Sequence, residues 1–119
     1  MENKEKIPVL PILKEPPTKD DIELVHNAIE PWIHKTPVLT STSLDEKLGC
    51  TVFCKCENFQ KTGAFKARGA FARAFAMTEE EKKCGILTSS SGNFASGLAL
   101  ACNVLKVPFA SVVPSSLNK

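Results

Sequence analysis

The sequence predicts an α/β fold in which an open parallel sheet carries flanking helices. A strand, a helix and a second strand follow one another between Ile86 and Val113, at the length of a βαβ unit. Such units pair their strands in parallel with a right-handed crossover. A further strand is predicted upstream at Thr51–Cys56, a β-branched and apolar run that precedes a loop and an amphipathic helix.

The first 17 residues differ in composition from the rest of the chain. Met1–Pro17 holds four of the eight prolines, and proline at this density opposes regular structure. We therefore expect a flexible leader over residues 1–17 and a folded domain over residues 18–119. The first residues of a domain are typically mobile when they make few contacts with the rest of the fold.

The first helix is predicted to begin after Thr18. Thr18 and Asp21 have the spacing of a capping box, and Pro31 ends or bends the helix at Glu30. Its buried face is expected to carry Ile22, Val25 and Ile29.

An extended segment and a short helix come next. Pro37 favours extended backbone over Ile33–Ser41, and Ser43 is predicted to cap a helix that Gly49 ends. His34 is interpreted as a structural residue, because histidines are commonly satisfied by local hydrogen bonds.

Lys66 is predicted in the first turn of the following helix, with Thr62 as the N-cap. The partial positive charge of a helix N-terminus, and burial against Phe65 and Phe71, would favour a neutral amine. A neutral lysine can attack an aldehyde and hold it as a Schiff base. The alternative is a solvated surface lysine without a function. The inward face of this helix is predicted to carry Phe71, Ala74 and Phe75.

The second half of the chain contains another short helix and the βαβ unit. Thr78 and Glu81 form a capping box, and Gly85 ends that helix. The predicted elements after it are the strand Ile86–Thr88, the turn Ser89–Asn93, the helix Phe94–Leu105 and the strand Val107–Val113.

The Ser89–Asn93 turn lies where a strand ends and a helix begins. Ligands of open α/β sheets usually bind at this position, where free backbone N–H groups attract an anion or carboxylate. A capped turn without a ligand fits the same residues, since serine and asparagine also cap helices.

Composition excludes several classes of protein. A 43% hydrophobic and 24% charged content is that of a globular protein, and a net charge of +2 without basic–aromatic clusters does not indicate nucleic-acid binding. No apolar run predicts a membrane span. Five cysteines without a C-x-x-C pair predict no metal site, and indicate reduced, buried thiols in a cytoplasmic protein.

Two motifs carry a resemblance to a known family. The run K-C-E-N-F-Q-K-T-G-A-F-K-A-R-G-A at residues 55–70, followed by S-S-S-G-N at residues 89–93, resembles the pyridoxal-phosphate (PLP) enzymes of the serine racemase and serine/threonine dehydratase family. The resemblance extends from about Ile29 to Pro114. It implies an incomplete, tryptophan synthase β-like fold of type II and activity on small hydroxy-amino acids.

The resemblance also implies roles for individual residues. Lys66 would carry PLP as a Schiff base beside Phe65, and Asn93 would contact the phenolic oxygen of the cofactor. The substrate carboxylate would lie in the turn formed by Ser90, Ser91, Gly92 and Asn93. Ser91 would return a proton on the face opposite Lys66, which is racemase chemistry; a single base predicts ammonia-lyase chemistry. The alternative is that Ser91 only caps the helix.

Effector sites are a further implication of the resemblance. Positions that bind ATP in racemase-like members correspond to Ser41, Thr42, Ser43, Lys61 and Thr62. Divalent-metal carboxylates and the glycine-rich phosphate loop would lie beyond residue 119. The chain also departs from the family at Ala64, usually serine, and at Phe94 and Ser96, usually histidine and glutamine.

Three functions remain open from the sequence. The chain is part of a PLP enzyme and is expected to be inactive alone; or it is a non-catalytic relative that forms homo-oligomers or associates with a full-length relative. The third interpretation is a nucleotide-binding βαβ module, which lacks both G-x-G-x-x-G and G-x-x-x-x-G-K-[ST].

Overall fold

The computed structural model describes residues 15–116. Five α-helices and four β-strands make up this part of the chain, with three short 3₁₀ turns between them. The elements are α1 Lys19–Ile29, 3₁₀ Glu30–Trp32, β1 Val38–Leu39, α2 Thr42–Leu48, β2 Cys54–Lys55, 3₁₀ Glu57–Phe59, 3₁₀ Lys61–Gly63, α3 Lys66–Phe75, α4 Glu79–Cys84, β3 Ile86–Ser89, α5 Asn93–Leu105 and β4 Phe109–Val112. The predicted leader lies mostly outside the described residues.

The predicted βαβ unit is confirmed. β3 and β4 pair in parallel, in a register that runs from Ile86 opposite Phe109 to Ser89 opposite Val112, and α5 connects them. The α/β fold class follows from this unit and from the helices that pack beside it.

The predicted strand at Thr51–Cys56 is largely wrong. Only Cys54–Lys55 is a strand, and it pairs antiparallel with Val38–Leu39 rather than joining β3 and β4. The described residues therefore contain two separate two-stranded sheets. The amide of Val52 is held by the Asp45 carboxylate at 2.8 Å, so the first half of the apolar run is fixed by a side chain instead of a strand partner.

Local capping signals predicted five of the seven helix ends correctly. α1 ends at Glu30, just before Pro31, and α4 ends at Gly85, both as predicted. Capping boxes are present at Thr18 with Asp21 and at Thr78 with Glu81, and Gly49 ends α2 in the left-handed region at φ 66°. Two predicted caps are wrong. The N-cap position of α2 is Ser41 rather than Ser43. Thr62 has a φ of 60° inside a 3₁₀ turn, and Phe65 is the residue that precedes α3.

The core lies where α3 packs against α5 and the end of α1. Phe71 and Phe75 are almost fully buried and meet edge to face at 5.7 Å, and Trp32 adds a second edge-to-face contact with Phe75 at 6.1 Å. α1 contributes its C-terminal half, in which Ala28 and Ile29 are buried and Val25 is partly buried against the same cluster. Ile22, predicted to be buried, is therefore 58% exposed.

Gly97 sets the spacing between α3 and α5. A Cβ added at Gly97 would lie 3.0 Å from Ala70 Cβ and 3.3 Å from Ala67 Cα. The two helices therefore approach each other through small residues, and a larger side chain on either side would push them apart.

The cysteines differ from the prediction. All five are free, but within residues 15–116 only Cys102 is buried, with Cys56 half-buried and the other three exposed. Cys54 is the first residue of β2 and Cys56 directly follows that strand, so both lie at the short, exposed β1–β2 ribbon.

Candidate active site

Lys66 is the first residue of α3, in the first turn as predicted. Its side chain is exposed, and its Nζ lies 5.2 Å from the centre of the Phe65 ring, over a ring that is 57% exposed. Within residues 15–116, Nζ makes no hydrogen bond or ion pair. The amine is therefore accessible to an incoming aldehyde.

The predicted burial of Lys66 against Phe65 and Phe71 is wrong. Phe71 is fully buried in the core, and five residues at helical spacing put it about 140° around the helix from Lys66. The turn of α3 that directs Phe71 inward therefore directs Lys66 outward.

The Ser90–Asn93 segment follows the end of β3. Ser89 belongs to the strand, Gly92 is the N-cap and Asn93 is the first residue of α5. Ser90 Oγ accepts a long hydrogen bond of 3.4 Å from the Gly92 amide. The Ser90 carbonyl accepts one of 2.6 Å from the Ser111 hydroxyl on β4, which ties the turn to the neighbouring strand.

Ser91 does not cap α5. The N-cap position of this helix has no side-chain hydrogen bond, and Ser91 is exposed. The capping role, which the sequence left open for Ser91, is therefore absent from the structure. Within the described residues, neither Ser91 nor Asn93 uses its side chain in a hydrogen bond.

The contact at Gly97 brings the two motif-bearing helices together. Ala67, which touches Gly97, directly follows Lys66, and Asn93 lies one helical turn before Gly97. The first residue of α3 and the first residue of α5 therefore both lie within about one turn of the same helix–helix contact.

A network of polar side chains that sequence reasoning did not find fixes the loop before α3. Arg68 donates from Nε to Glu57 Oε2 at 2.9 Å and from Nη2 to Glu57 Oε1 at 2.7 Å, and the Thr36 hydroxyl donates to Glu57 Oε1 at 2.6 Å. The hydrogen bonds from Arg68, opposed by partial burial, lower the pKa of Glu57 to about 2. The same pairing raises the pKa of Arg68.

Gln60 is the buried centre of a second set of bonds. It is 3% exposed, its Oε1 accepts from the amides of His34 and Lys61, and its Nε2 donates to the His34 carbonyl at 2.8 Å. His34 also places Nδ1 3.0 Å from the Phe59 carbonyl. These local bonds support the structural role predicted for His34.

The residues predicted to bind ATP fall into two groups. Ser41, Thr42 and Ser43 begin α2, where Ser41 Oγ and Ser43 Oγ are 3.3 Å apart, while Lys61 and Thr62 lie in the 3₁₀ turn before α3. No side-chain hydrogen bond joins the two groups in the described part of the chain.

Two further observations concern ligands and membranes. Among residues 15–116, no three His, Cys, Asp or Glu side chains are placed to hold a metal ion. No helix in that range has the length and apolar character needed to cross a bilayer.

The fold and the two motifs define an α/β protein with an exposed lysine and a polar turn at the starts of two adjoining helices. The family of pyridoxal-phosphate dependent enzymes matches residues 29–119. The chain belongs to this family.

Two relatives of known activity are similar to this chain in sequence. The chain is 44% identical to a serine racemase of Schizosaccharomyces pombe over 98 residues, 82% of this chain and 30% of that protein. It is 43% identical to an L-threo-3-hydroxyaspartate ammonia-lyase of a Pseudomonas species over 95 residues, 80% of this chain and 30% of that protein. The chain thus spans about 30% of the length of these relatives.

Solved structures agree on the fold. The crystal structure of serine racemase from Dictyostelium discoideum matches with a TM-score of 0.80 at 45% identity, over 83% of this chain and 33% of that one. The crystal structure of a T.th. threonine deaminase matches with a TM-score of 0.73 at 44% identity, over 84% of this chain and 35% of that one. The type II PLP-enzyme fold predicted from the motifs is confirmed for this part of the fold.

The residues present fit pyridoxal phosphate. The Lys66 amine is exposed and without a polar partner among the described residues, as covalent attachment to an aldehyde requires. The Ser91 side chain offers a hydroxyl that suits a carboxylate, and the Asn93 side chain offers an amide that suits a phenolic oxygen.

Proposed function

We propose that the chain supplies the lysine-bearing part of a PLP-dependent enzyme that acts on small hydroxy-amino acids, as a serine racemase or an L-serine (L-threonine) ammonia-lyase of the cytoplasm. The observation that carries the proposal is the position of Lys66. It begins a helix, its amine has no polar partner within the described residues, and the contact at Gly97 holds that helix against the one that Asn93 begins.

The cofactor, when bound, supplies an electron-withdrawing ring that stabilises negative charge developing at the substrate α-carbon. The protein must then hold the reacting groups and move protons. In this proposal Lys66 holds the cofactor through its amine and serves as the base on its own side of the substrate.

The turn at the start of α5 has the features of a carboxylate site. Its backbone N–H groups lie at a helix N-terminus, where an anion is favoured, and Ser111 on the neighbouring strand holds the Ser90 carbonyl in place. We assign the substrate carboxylate to Ser90, Ser91 and Gly92, and the cofactor's phenolic oxygen to the Asn93 amide. Phe65 lies beside Lys66 and would shield the amine from one side.

Ser91 decides between the two reactions in this proposal. A hydroxyl that is exposed and does not cap the helix is available to deliver a proton. Delivery on the face opposite Lys66 gives racemisation, while loss of the β-hydroxyl with one base gives ammonia-lyase chemistry. We favour racemisation because the capping role is missing.

The described part of the site is open. Lys66, Ser91 and Asn93 are all exposed, so water reaches the groups that would carry the reaction, and electrostatic interactions there are weak. We therefore expect the 119-residue polypeptide to turn over serine slowly when it is assayed by itself.

The experiment adds pyridoxal phosphate and L-serine to the purified chain and measures pyruvate and D-serine together. We expect at most slow product formation above that of the free cofactor, and any such activity should be lost in Lys66→Ala and retained in Lys83→Ala, a matched change at an exposed lysine of α4. Product formation that persists in Lys66→Ala would contradict the role proposed for Lys66. Turnover near the usual ~10 per second would contradict the open-site argument.

One observation favours a second candidate, a non-catalytic role as a partner of a full-length relative or as a homo-oligomer. Leu87 on β3 and Val112 on β4 are 73% and 58% exposed, an unusual degree for the strands of a parallel sheet. Sedimentation of the purified chain at several concentrations would reveal self-association, and a monomer at every concentration would remove that form of this candidate.

A further inference from the structure

A cavity of about 260 Å³ lies beside α1, the segment that follows it, β2 and α3. It shares no lining residue with the Lys66 and Asn93 site. Basic side chains dominate its wall, with a single carboxylate among them. The polar wall consists of His26, His34, Lys35, Lys55, Arg68 and Glu30. We call it the basic cavity.

Several hydrogen-bond donors around the basic cavity are unused. Lys55 Nζ donates one hydrogen bond, of 2.7 Å, to the Thr36 carbonyl, which leaves two of its three N–H groups. Arg68 uses Nε and Nη2, so Nη1 retains two donors. Within residues 15–116, Lys35 makes no hydrogen bond or ion pair with its side chain, and all three of its donors are free.

The charge balance favours an anion. Glu57 does not line the cavity and is already held by Arg68 and Thr36, so its carboxylate oxygens are occupied by donors from the protein. Counting Glu57 and Glu30 against Lys35, Lys55 and Arg68, the cations outnumber the carboxylates three to two with both histidines neutral. Glu30 repels an anion at one side, and the free ammonium of Lys35 attracts it.

The Glu57 pair also organises the cavity. Two parallel hydrogen bonds fix the plane of the Arg68 guanidinium, so its free edge is positioned before any ligand arrives. Preorganised donors lose less conformational entropy on binding than mobile ones. The ligand that matches is small, with several acceptor oxygens and more than one negative charge.

We propose that the basic cavity binds a small phosphate dianion, either inorganic phosphate or the phosphate group of a monoester. Its volume is below the usual range of about 300–1,000 Å³ for drug-sized ligands, and a tetrahedral phosphate has acceptor oxygens for the unused donors of the lining residues Lys35, Lys55 and Arg68. The proposal does not depend on pyridoxal phosphate or on the reaction proposed above.

The two histidines of the chain give a direct reporter. His26 and His34 are the only histidines in the sequence, and both line the basic cavity. Imidazole carbon–proton NMR signals of the full 119-residue chain therefore report on this cavity alone. We would titrate inorganic phosphate and, separately, glycerol phosphate, at constant pH and at ionic strength matched with potassium chloride.

We expect saturable shifts of both imidazole signals with inorganic phosphate or with glycerol phosphate. The ratio of the two titration midpoints shows whether the cavity binds free phosphate or a phosphate monoester more tightly. In Lys35→Glu the midpoint of the phosphate titration should rise at least about tenfold, because a free ammonium is replaced by a carboxylate that repels phosphate. Lys47→Glu makes the same change in net charge on exposed α2 and should move the midpoint less than about twofold, as expected from screening.

A salt series on the unmodified chain needs no variant to fold. Raising potassium chloride should weaken phosphate binding steadily, because exposed charges are screened. Shifts that never saturate, shifts that chloride alone reproduces, or equal midpoints in Lys35→Glu and Lys47→Glu would overturn the proposal.

Discussion

The Glu57–Arg68 ion pair makes the free energy of unfolding depend on pH over a defined acidic range. The pair lowers the pKa of Glu57 from its ordinary value of 4.5 to about 2. A carboxyl whose pKa is lowered on folding contributes stability that is complete above the unfolded value and is lost as pH falls through the folded one. For Glu57 that window runs from about pH 4.5 down to about pH 2.

The size of the effect follows from the shift and the exposure. Linkage alone would give about 3 kcal/mol for a shift of this size. The Arg68 and Glu57 side chains retain 28% and 19% of their accessible surface, so water screens the pair, and we expect about 1–2 kcal/mol. In Glu57→Gln, this contribution is absent because the amide does not titrate.

Urea unfolding at a series of pH values measures the difference. We expect Glu57→Gln to be less stable than the unmodified chain by about 1–2 kcal/mol at about pH 7, and the gap to close between about pH 4.5 and about pH 2. Glu46→Gln, which removes an exposed carboxylate on α2, should change stability by less than about 0.5 kcal/mol. A gap between Glu57→Gln and the unmodified chain that stays constant down to about pH 2 would show that the Glu57–Arg68 pair does not lower the pKa of Glu57 in the folded chain.

Three further predictions concern packing, capping and thiol reactivity. Gly97→Ala should lower the free energy of unfolding by about 1 kcal/mol, because the new methyl group would contact Ala70. Gly69→Ala, with open space around the new methyl group, should raise the free energy of unfolding by about 0.5–1 kcal/mol. Thermal unfolding of both variants tests the two signs, and equal shifts of the midpoint would contradict the close packing at Gly97. Thr78→Ala removes the capping box of α4 and should cost about 1 kcal/mol, which urea unfolding would show; an unchanged midpoint would exclude a stabilising cap. Burial raises the pKa of the Cys102 thiol, so a thiol reagent followed by mass spectrometry should label exposed Cys50 and Cys84 first, and early labelling of Cys102 would show that the core opens.

Signals that act within one helical turn can be read from the sequence. Each capping box, at Thr18 and at Thr78, is made by hydrogen bonds between residues three positions apart. The left-handed Gly49 likewise donates its backbone N–H to the carbonyl of Asp45, four positions earlier. The βαβ unit is equally predictable, because a short apolar run, a helix and a second run have one favoured arrangement. Such local signals suffice to place Lys66 and Asn93 where helices begin.

Interactions between distant segments could not be predicted in the same way. His34 and Gln60 bond across 26 positions, and Arg68 reaches the His34 carbonyl across 34, with no periodic pattern to reveal either pair. The exposure of Lys66 and Ile22 was missed for a related reason, since it depends on which elements pack nearby. The short β1–β2 ribbon was missed because an apolar run indicates a strand without naming its partner.

Lys66 is proposed as the residue to which pyridoxal phosphate attaches, and the site of attachment can be mapped on the chain. The purified chain is mixed with pyridoxal phosphate, reduced with borohydride to fix any lysine-bound cofactor, digested, and mapped by mass spectrometry. We expect one dominant modified residue, Lys66, and loss of that modification in Lys66→Ala without a compensating gain elsewhere. Modification spread evenly over Lys47, Lys61 and Lys83, with Lys66 no more reactive than they are, would contradict it.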